Sequence, residues 1–170
     1  MRIEPRFEPR FLLPLVVAVA ASAATAGSVD VTFAKASKFA DAGATPWEER
    51  ANLDLLVGHL QALGKRHLPA DQSLKVEVLE VDLAGSLRPS RRGAGEVRIV
   101  RGRADWPRIG LRYTLEQDGK PVLSGEETVA DLNYAHGIAA GHASDTLHYE
   151  KHMLDAWFKA RFVERRAAGG

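Results

Sequence analysis

Cysteine is absent from the 170-residue sequence, so the chain has no residue that forms a disulfide, accepts a lipid at a lipobox or acts as a thiol nucleophile. A domain without disulfides is stabilised mainly by its hydrophobic core, and a chain of this length is long enough to form one. The sequence shows no repeats, and we expect a single domain over residues 27–170.

Motifs for nucleophilic catalysis and nucleotide binding are absent as well. The sequence has no Gly-x-Ser-x-Gly elbow, no phosphate-binding loop and no dinucleotide-binding fingerprint. Carboxylate pairs for glycoside cleavage, drawn from Asp82, Asp105, Glu126 and Glu127, require distances that the sequence does not supply. The sequence therefore contains no recognised catalytic motif, which favours a non-catalytic protein without a cofactor.

A long apolar run occurs only near the N terminus, at residues 11–20. Three arginines precede it, and two small-x-small sites of the kind that signal peptidase cleaves follow it, at residues 21–23 and 24–26. The run is too short for a transmembrane helix, which needs about 20 apolar residues. We expect residues 1–26 to be a cleavable signal peptide and the mature protein to be periplasmic or secreted, without a stable membrane anchor.

The predicted mature chain has no excess of either charge. The leader contains three Arg and two Glu of the 23 basic and 22 acidic residues, so 20 of each remain after its removal. Net charge therefore does not favour binding to nucleic acid or to an anionic membrane. The distribution is uneven, because residues 88–112 contain eight Arg but only Glu96 and Asp105 as acidic residues, so this window carries +6.

A β-hairpin is the clearest local signal. Ile109, Leu111, Tyr113 and Leu115 alternate with polar residues and Gly, which is typical of a strand buried on one face. A second alternating segment follows Gln117-Asp118-Gly119-Lys120. Asp-Gly between two such segments predicts a hairpin, because the turn needs positive φ and Gly adopts it without a steric penalty.

Two helices are predicted from capping signals and apolar spacing. Thr45-Pro46-Trp47-Glu48 combines an N-cap hydroxyl, Pro at the first helical position and Glu three residues after the cap. The first helix starts here and ends at Gly64 or Pro69. Ser144-Asp145 is predicted to cap the second helix. The apolar side of this second helix contains Leu147, Leu154, Trp157 or Phe158, and Phe162.

Three further strands are indicated by alternation, at residues 29–33, 74–83 and 97–99. In the second of them the apolar positions change from even to odd numbers, which requires an extra residue, so we predict a β-bulge near Val78-Leu79. Residues 84–95 are predicted to be a loop. The order β-α-β-β-β-β-α predicts an α+β fold, with a mainly antiparallel five-stranded sheet and two helices packed on one face.

Glu126 and Glu127 are adjacent in the last predicted strand, so one of them faces the layer that covers the sheet. A carboxylate there needs a partner, and Arg101, Arg103 and Arg112 are the nearest candidates by strand order. The sequence leaves open whether the turn has two or three residues, and therefore which glutamate faces inward. Ion pairing between strands at the margin of the sheet is the alternative to a functional role.

The arginine-rich window is the best candidate for a binding surface, because Arg binds carboxylate and phosphate groups bidentately. Trp106 either forms an exposed aromatic anchor or packs over the sheet edge. Asp105, like the two adjacent glutamates, is a candidate buried charge. Pairing with glutamates of neighbouring strands is the alternative for the arginines. The residues expected to bind an anionic partner are Arg98, Arg101, Arg103, Trp106, Arg108 and Arg112.

Four of the six histidines fall within residues 136–152. His148 and His152 are four residues apart on the second predicted helix, and two imidazoles at this spacing can share Zn²⁺ or Cu²⁺, with His136 or His142 as a third ligand. The segment lacks the Glu that follows the first His in zinc proteases. Solvated surface histidines are the alternative.

Short motifs along the whole predicted mature chain resemble one family of exported bacterial proteins, the domain of unknown function numbered 3016. The motifs are Val31-Thr32-Phe33, Leu74-Lys75-Val76-Glu77-Val78-Leu79 through Asp82-Leu83-Ala84-Gly85, Arg101-Gly102-Arg103-Ala104-Asp105-Trp106-Pro107, Gly125-Glu126-Glu127, Asp131-Leu132-Asn133-Tyr134, Tyr149-Glu150-Lys151 and Leu154-Asp155-Ala156-Trp157-Phe158. The resemblance implies export and no known activity. The stretch between Tyr134 and Ser144, rich in Ala, Gly and His, departs from the family pattern.

The sequence thus favours a non-catalytic periplasmic accessory or interaction protein that binds an anionic envelope partner, either a protein or another envelope component. The alternative is a metal-binding protein or metal-dependent enzyme built on the histidines of residues 136–152.

Overall fold

A computed structural model describes residues 26–34, 39–91, 93, 95–101, 104–135 and 146–165. Within these residues, none of the helices is both long enough and apolar enough to cross a membrane. The elements in chain order are β1 (Ser28–Phe33), α1 (Pro46–His67), β2 (Gln72–Asp82), β3 (Ser86–Pro89), β4 (Glu96–Ile99), β5 (Arg108–Gln117), β6 (Lys120–Ala130) and α2 (His148–Phe158), which continues as a π-helical segment (Lys159–Glu164).

Four strands form the main sheet, in the order β1-β2-β5-β6. β1 and β2 are parallel and are connected through α1, as parallel neighbours require a crossover. The β2–β5 and β5–β6 pairs are antiparallel. The α+β class is therefore confirmed, with a mixed sheet that is mainly antiparallel.

Both helices cover the same face of this sheet. Leu60 of α1 and Leu154 and Phe158 of α2 belong to one buried cluster together with Leu74 of β2 and Leu111 of β5. The opposite face carries polar side chains instead, which explains why it needs no second layer. The polar residues of this face include Lys75, Glu77, Arg112, Thr114 and Ser124.

The first helix begins as the sequence predicted. Thr45 Oγ1 accepts a hydrogen bond from Glu48 N at 3.2 Å, and Glu48 Oε2 accepts one from Ala44 N at 2.9 Å. The helix runs past Gly64 and ends before Pro69, with Leu68 as its C-cap. Gly64 lies against the Val29 side chain, so the lack of a Cβ lets α1 pack closely on β1.

Two bulges adjust the registers of the main sheet. The predicted bulge is confirmed, because the β2–β5 register shifts between Val78 and Glu80 and leaves Leu79 unmatched. The predicted hairpin is confirmed as a two-residue turn with positive φ at Asp118 and Gly119. A second bulge follows at Val122, where the β5–β6 register shifts.

The structure corrects the prediction that the main sheet has a fifth strand. Residues 96–99 form β4, which pairs with β3, and these two strands make a separate antiparallel sheet. β3 lies in the segment that was predicted to be a loop, and its four residues are too few for the alternation rule to detect. The single five-stranded sheet is therefore wrong, whereas the fold class holds.

The second helix begins at His148, with Leu147 as its N-cap in the left-handed conformation and no side-chain cap. The predicted cap, Ser144-Asp145, lies outside the described residues. The π-helical segment extends the helix and places Phe162 in the core and Arg161 toward the sheet.

Candidate functional site

The β3–β4 hairpin has two faces, because successive side chains of a strand point to opposite sides. Leu87, Glu96, Arg98 and Val100 line a cleft between the hairpin and the two helices. The opposite face of the hairpin borders a second groove. The residues lining this second groove are Arg88, Pro89, Ser90, Arg91, Val97, Ile99 and Arg101.

Three arginines, Arg88, Arg91 and Arg101, surround this second groove, and we call them the hairpin arginine cluster. The groove has a volume of about 620 Å³, and all three side chains are exposed. In the part of the chain that the structure describes, no acidic side chain forms an ion pair with any of them. Val97 and Ile99 add an apolar surface between the charges.

The other arginines of the window lie elsewhere and have acidic partners. Arg98, on the cleft face, binds Asp41 through two hydrogen bonds of 2.6 and 2.9 Å. Arg108 pairs with Asp82 at 2.6 Å. Arg112 lies on the polar face of the main sheet.

Arg112 binds Glu77 at 2.6 Å and Glu126 at 2.9 Å. Hydrogen bonds with Glu126 and Glu77 raise the pKa of Arg112 above its usual range. The pairing between strands that the sequence offered as an alternative therefore describes this arginine. Arg103 lies outside the described residues.

Asp105 and Trp106 lie in the connection between the hairpin and β5. Asp105 Oδ1 accepts a hydrogen bond from the Tyr134 hydroxyl at 2.7 Å, and its Oδ2 accepts one from Arg101 N at 2.9 Å. The Asp105 carbonyl accepts a further bond from Gly85 N at 2.8 Å. Trp106 is half-buried. Asp105 therefore fixes the base of the hairpin.

The cleft has a volume of about 770 Å³, within the range of small-molecule sites. The first three turns of α1, the hairpin and the start of α2 form its walls. Trp47 is 78% exposed, Leu55 40% and Val100 41%, and all three line the cleft. Half of the six most exposed large apolar residues in the described part of the chain are therefore found at one site.

Glu150, in the first turn of α2, is the buried polar residue of the cleft, at 3% exposure. Its Oε1 accepts a hydrogen bond of 2.7 Å from Ala84 N. Burial raises the pKa of Glu150, although the bond from Ala84, its own backbone and the nearby Arg98 oppose this. The carboxyl group thus ties α2 to the start of the hairpin.

Comparison with known families adds one match. The model of the family described as protein of unknown function DUF3016 matches residues 27–160. The chain belongs to the DUF3016 family. No curated protein and no solved structure matches it.

The DUF3016 match includes both faces of the hairpin and the cleft, so these features lie within the family domain. The match also includes the two adjacent glutamates of β6, and the structure shows which one faces inward.

Glu127 is the residue that faces the helices. Its Oε1 accepts a hydrogen bond from Trp157 Nε1 at 3.0 Å, and its Oε2 binds Arg161 at 2.5 Å. Burial opposes ionisation of Glu127, but the bonds from Arg161, Trp157 and Tyr113 outweigh it and lower its pKa. Glu126 points to the polar face. The basic partner of Glu127 is therefore Arg161, on the extension of α2, and not an arginine of the arginine-rich window.

The structure describes two of the four clustered histidines. His148 and His152 border the groove between α1 and α2, together with His59. His152 Nδ1 lies 4.0 Å from Asp131 Oδ2. Within the described ranges, no group of three His, Asp or Glu is arranged to hold a metal ion. His136 and His142 lie outside those ranges, so the four-histidine site stays a prediction.

Sequence reasoning missed Glu150 and Asp41 as site residues. Glu150 is three residues after Leu147 and four before Leu154, so it falls on the apolar stripe of α2. A charged residue at such a position is a detectable signal of a buried carboxylate. Asp41 follows no pattern, because its contact with Arg98 depends on tertiary packing.

Proposed function

We propose that this DUF3016 protein is an exported, non-catalytic accessory protein that binds an anionic component of the cell envelope through the hairpin arginine cluster. The observation that carries the proposal is the contrast within the arginine-rich window. Arg98, Arg108 and Arg112 are engaged by Asp41, Asp82 and two glutamates. Those of the cluster have no such partner among the described residues.

Arginine on a two-stranded hairpin suits this role for physical reasons. The guanidinium group binds carboxylate and phosphate oxygens bidentately, and three of them around one groove concentrate positive charge. Val97 adds exposed apolar surface that a larger molecule would contact and an isolated ion would not. The ligand chemistry is therefore a carboxylate or phosphate group attached to a larger envelope molecule.

The proposal changes which of the arginines predicted from the sequence contribute most to binding an anionic partner. Arg101 keeps its predicted role and gains Arg88 and Arg91 as neighbours. Arg98, Arg108 and Arg112 contribute less, because a ligand must first displace their carboxylate partners.

The test compares two variants that each remove two positive charges. Mature wild-type protein is expected to bind to vesicles rich in anionic lipid and to a carboxylate resin, and to be released by salt, because screening weakens exposed charge interactions. Arg88→Gln with Arg101→Gln is expected to abolish most of this binding. Arg108→Gln with Arg112→Gln is the control and is expected to bind nearly as wild type does.

Equal loss in both variants would show that overall charge, not the cluster, is responsible, and would contradict the proposal. Binding to vesicles but not to the resin, or the reverse, identifies phosphate or carboxylate as the group recognised. The same purified protein is to be analysed for bound metal, because a metal-binding protein would retain Zn²⁺ or Cu²⁺ irrespective of the arginine substitutions.

Export belongs to this proposal too. The leader-like residues 1–26 support it, and so does the start of the family match at residue 27, directly after the expected cleavage point. A periplasmic location would bring the cluster close to lipid phosphates and to the carboxylates of the cell wall.

A further inference from the structure

We propose that the cleft between α1, the hairpin and α2 binds a small organic amine, whose apolar part lies against Trp47, Leu55 and Val100 and whose ammonium group lies toward Glu150. This site is on the opposite face of the hairpin from the arginine cluster and selects the opposite charge. The inference is independent of the anionic partner proposed above.

The apolar rim of the cleft supports a ligand with a hydrophobic body. Trp47 and Leu55 belong to α1 and Val100 directly follows β4, and all three are exposed, yet they line one cavity. Exposed apolar side chains that are concentrated at one concave site mark a binding surface more often than scattered ones do. A volume of about 770 Å³ suits a small molecule.

The charges of the cleft support a cationic group on that ligand. Glu48 from α1, Glu96 from the hairpin and Glu150 from α2 line the cavity, and Arg98 is the one Lys or Arg among the described lining residues. Asp41 binds this guanidinium through both of its terminal nitrogens, so its charge is largely neutralised. His148 is the remaining titratable side chain with a basic group at this site.

Glu150 and Trp47 define where the cationic group would bind in the cleft. The Glu150 carboxyl is almost fully buried, with one oxygen engaged by Ala84 N, and a bound ammonium would stabilise its ionised form in place of the solvent that burial excludes. The exposed indole of Trp47 offers a ring face, on which cations bind favourably. Glu150 thus contacts the cation from inside the cleft, and Trp47 contacts it from the rim.

The test uses three probes of similar shape: phenethylamine, phenethyl alcohol and 3-phenylpropionate. Binding to the mature protein is measured by calorimetry and by NMR chemical-shift changes at the Trp47 indole N–H. The amine is expected to bind at least about tenfold more tightly than the alcohol, as one buried ionic contact and one cation–π contact would give. The anion is expected not to bind in the cleft.

Variants separate the two parts of the site. Glu150→Gln keeps the acceptor for Ala84 N and is expected to remove the preference for the amine over the alcohol. Trp47→Ala is expected to weaken both probes, and it does not threaten the fold because Trp47 is highly exposed. Glu126→Gln, the same substitution on the polar face of the main sheet, is the control and is expected to bind as wild type does.

Equal affinity for the amine and the alcohol would overturn the inference, as would an absence of binding at millimolar concentrations. Shifts confined to residues outside the cleft would do so as well. If Glu150→Gln does not fold, the Trp47→Ala variant decides: unchanged amine affinity in that variant would also overturn it. The arginine-cluster variants are expected to bind the amine normally, so failure of either proposal is distinguishable from failure of the other.

Discussion

Two carboxylates near the core, Glu127 and Glu150, have pKa values that shift in opposite directions. Glu127 is half-buried and receives bonds from Arg161, Trp157 and Tyr113, which favour its ionised form. Glu150 is nearly inaccessible, and the bonds that its carboxyl group receives from backbone N–H groups, including that of Ala84, do not offset burial, which favours its neutral form. The number and charge of the donors decide the outcome in each case.

These shifts predict opposite pH dependences for two conservative variants. The pKa of Glu150 is raised on folding, so between its ordinary value and its folded value the native state binds more protons than the unfolded state, and stability falls as pH rises. Glu150→Gln removes this fall, by at most about 1.4 kcal/mol per pH unit within the window. The variant is expected to gain stability relative to wild type as pH rises above the ordinary pKa of Glu.

Glu127→Gln is the matched comparison. The pKa of Glu127 is lowered on folding, so its stabilising contribution is complete above the ordinary pKa and is lost as pH falls through the folded value. This variant is expected to be less stable than wild type at neutral pH, with a difference that shrinks in acid. Urea denaturation of all three proteins at several pH values measures both effects. If the stability difference from wild type changed with pH in the same direction in both variants, the assignment would be contradicted.

At the scale of elements, the β5–β6 turn depends on one backbone conformation. Asp118 and Gly119 both have positive φ, of 50° and 75°, which matches the twist of the flanking strands. No atom lies within 4 Å of a Cβ built on Gly119. Gly is therefore favoured at this position because of its positive φ and not because a side chain would be crowded.

This predicts opposite effects for two Gly→Ala substitutions. Gly119→Ala is expected to reduce the free energy of unfolding by about 1 kcal/mol, because an L-residue at this φ is strained. Gly58→Ala, at an exposed and uncrowded position of α1, is expected to increase it by about 0.5–1 kcal/mol through helix propensity. Thermal and chemical denaturation of the two variants check this, and stabilisation by Gly119→Ala would show that the turn is not as described.

At the scale of the whole molecule, one core is formed between two helices and one face of a sheet. The other face is polar and held by surface ion pairs such as Lys75 with Glu116, which add little stability. The hairpin of β3 and β4 projects from this body, joined by the Arg98–Asp41 pair and by bonds to Asp105. Both proposed binding surfaces therefore lie on the hairpin, where the core contributes least.

The proposed export also concerns the whole chain, and it predicts a defined mature N terminus. Expression of the full sequence in a bacterium with a standard export pathway is expected to yield protein that begins at Gly27, because residues 24–26 present small residues at both positions that signal peptidase reads. Mass spectrometry of the periplasmic fraction measures this. A product that begins at Ala24 would indicate the earlier site, and a product that retains residues 1–26 would exclude cleavage.

Local signals in the sequence determined much of the fold. The cap at Thr45, the turn at Asp118-Gly119 and the bulge at Leu79 were all predicted correctly, because each depends on residues within a few positions along the chain. The α+β class followed from the same signals. Strand pairing did not, since β4 carries the same alternation whether it joins the main sheet or pairs with β3.

Only the tertiary structure decided how the charges are distributed. Without the bulge at Val122, the residue opposite Leu111 would be Glu126, and the other glutamate would point away from the helices. One extra residue thus reverses the direction in which both glutamate side chains point, and no pattern in the sequence of β6 predicts it. The arginines separate into partnered and unpartnered groups within the described residues for a similar reason: their acceptors come from distant elements, brought near by packing and not by sequence spacing.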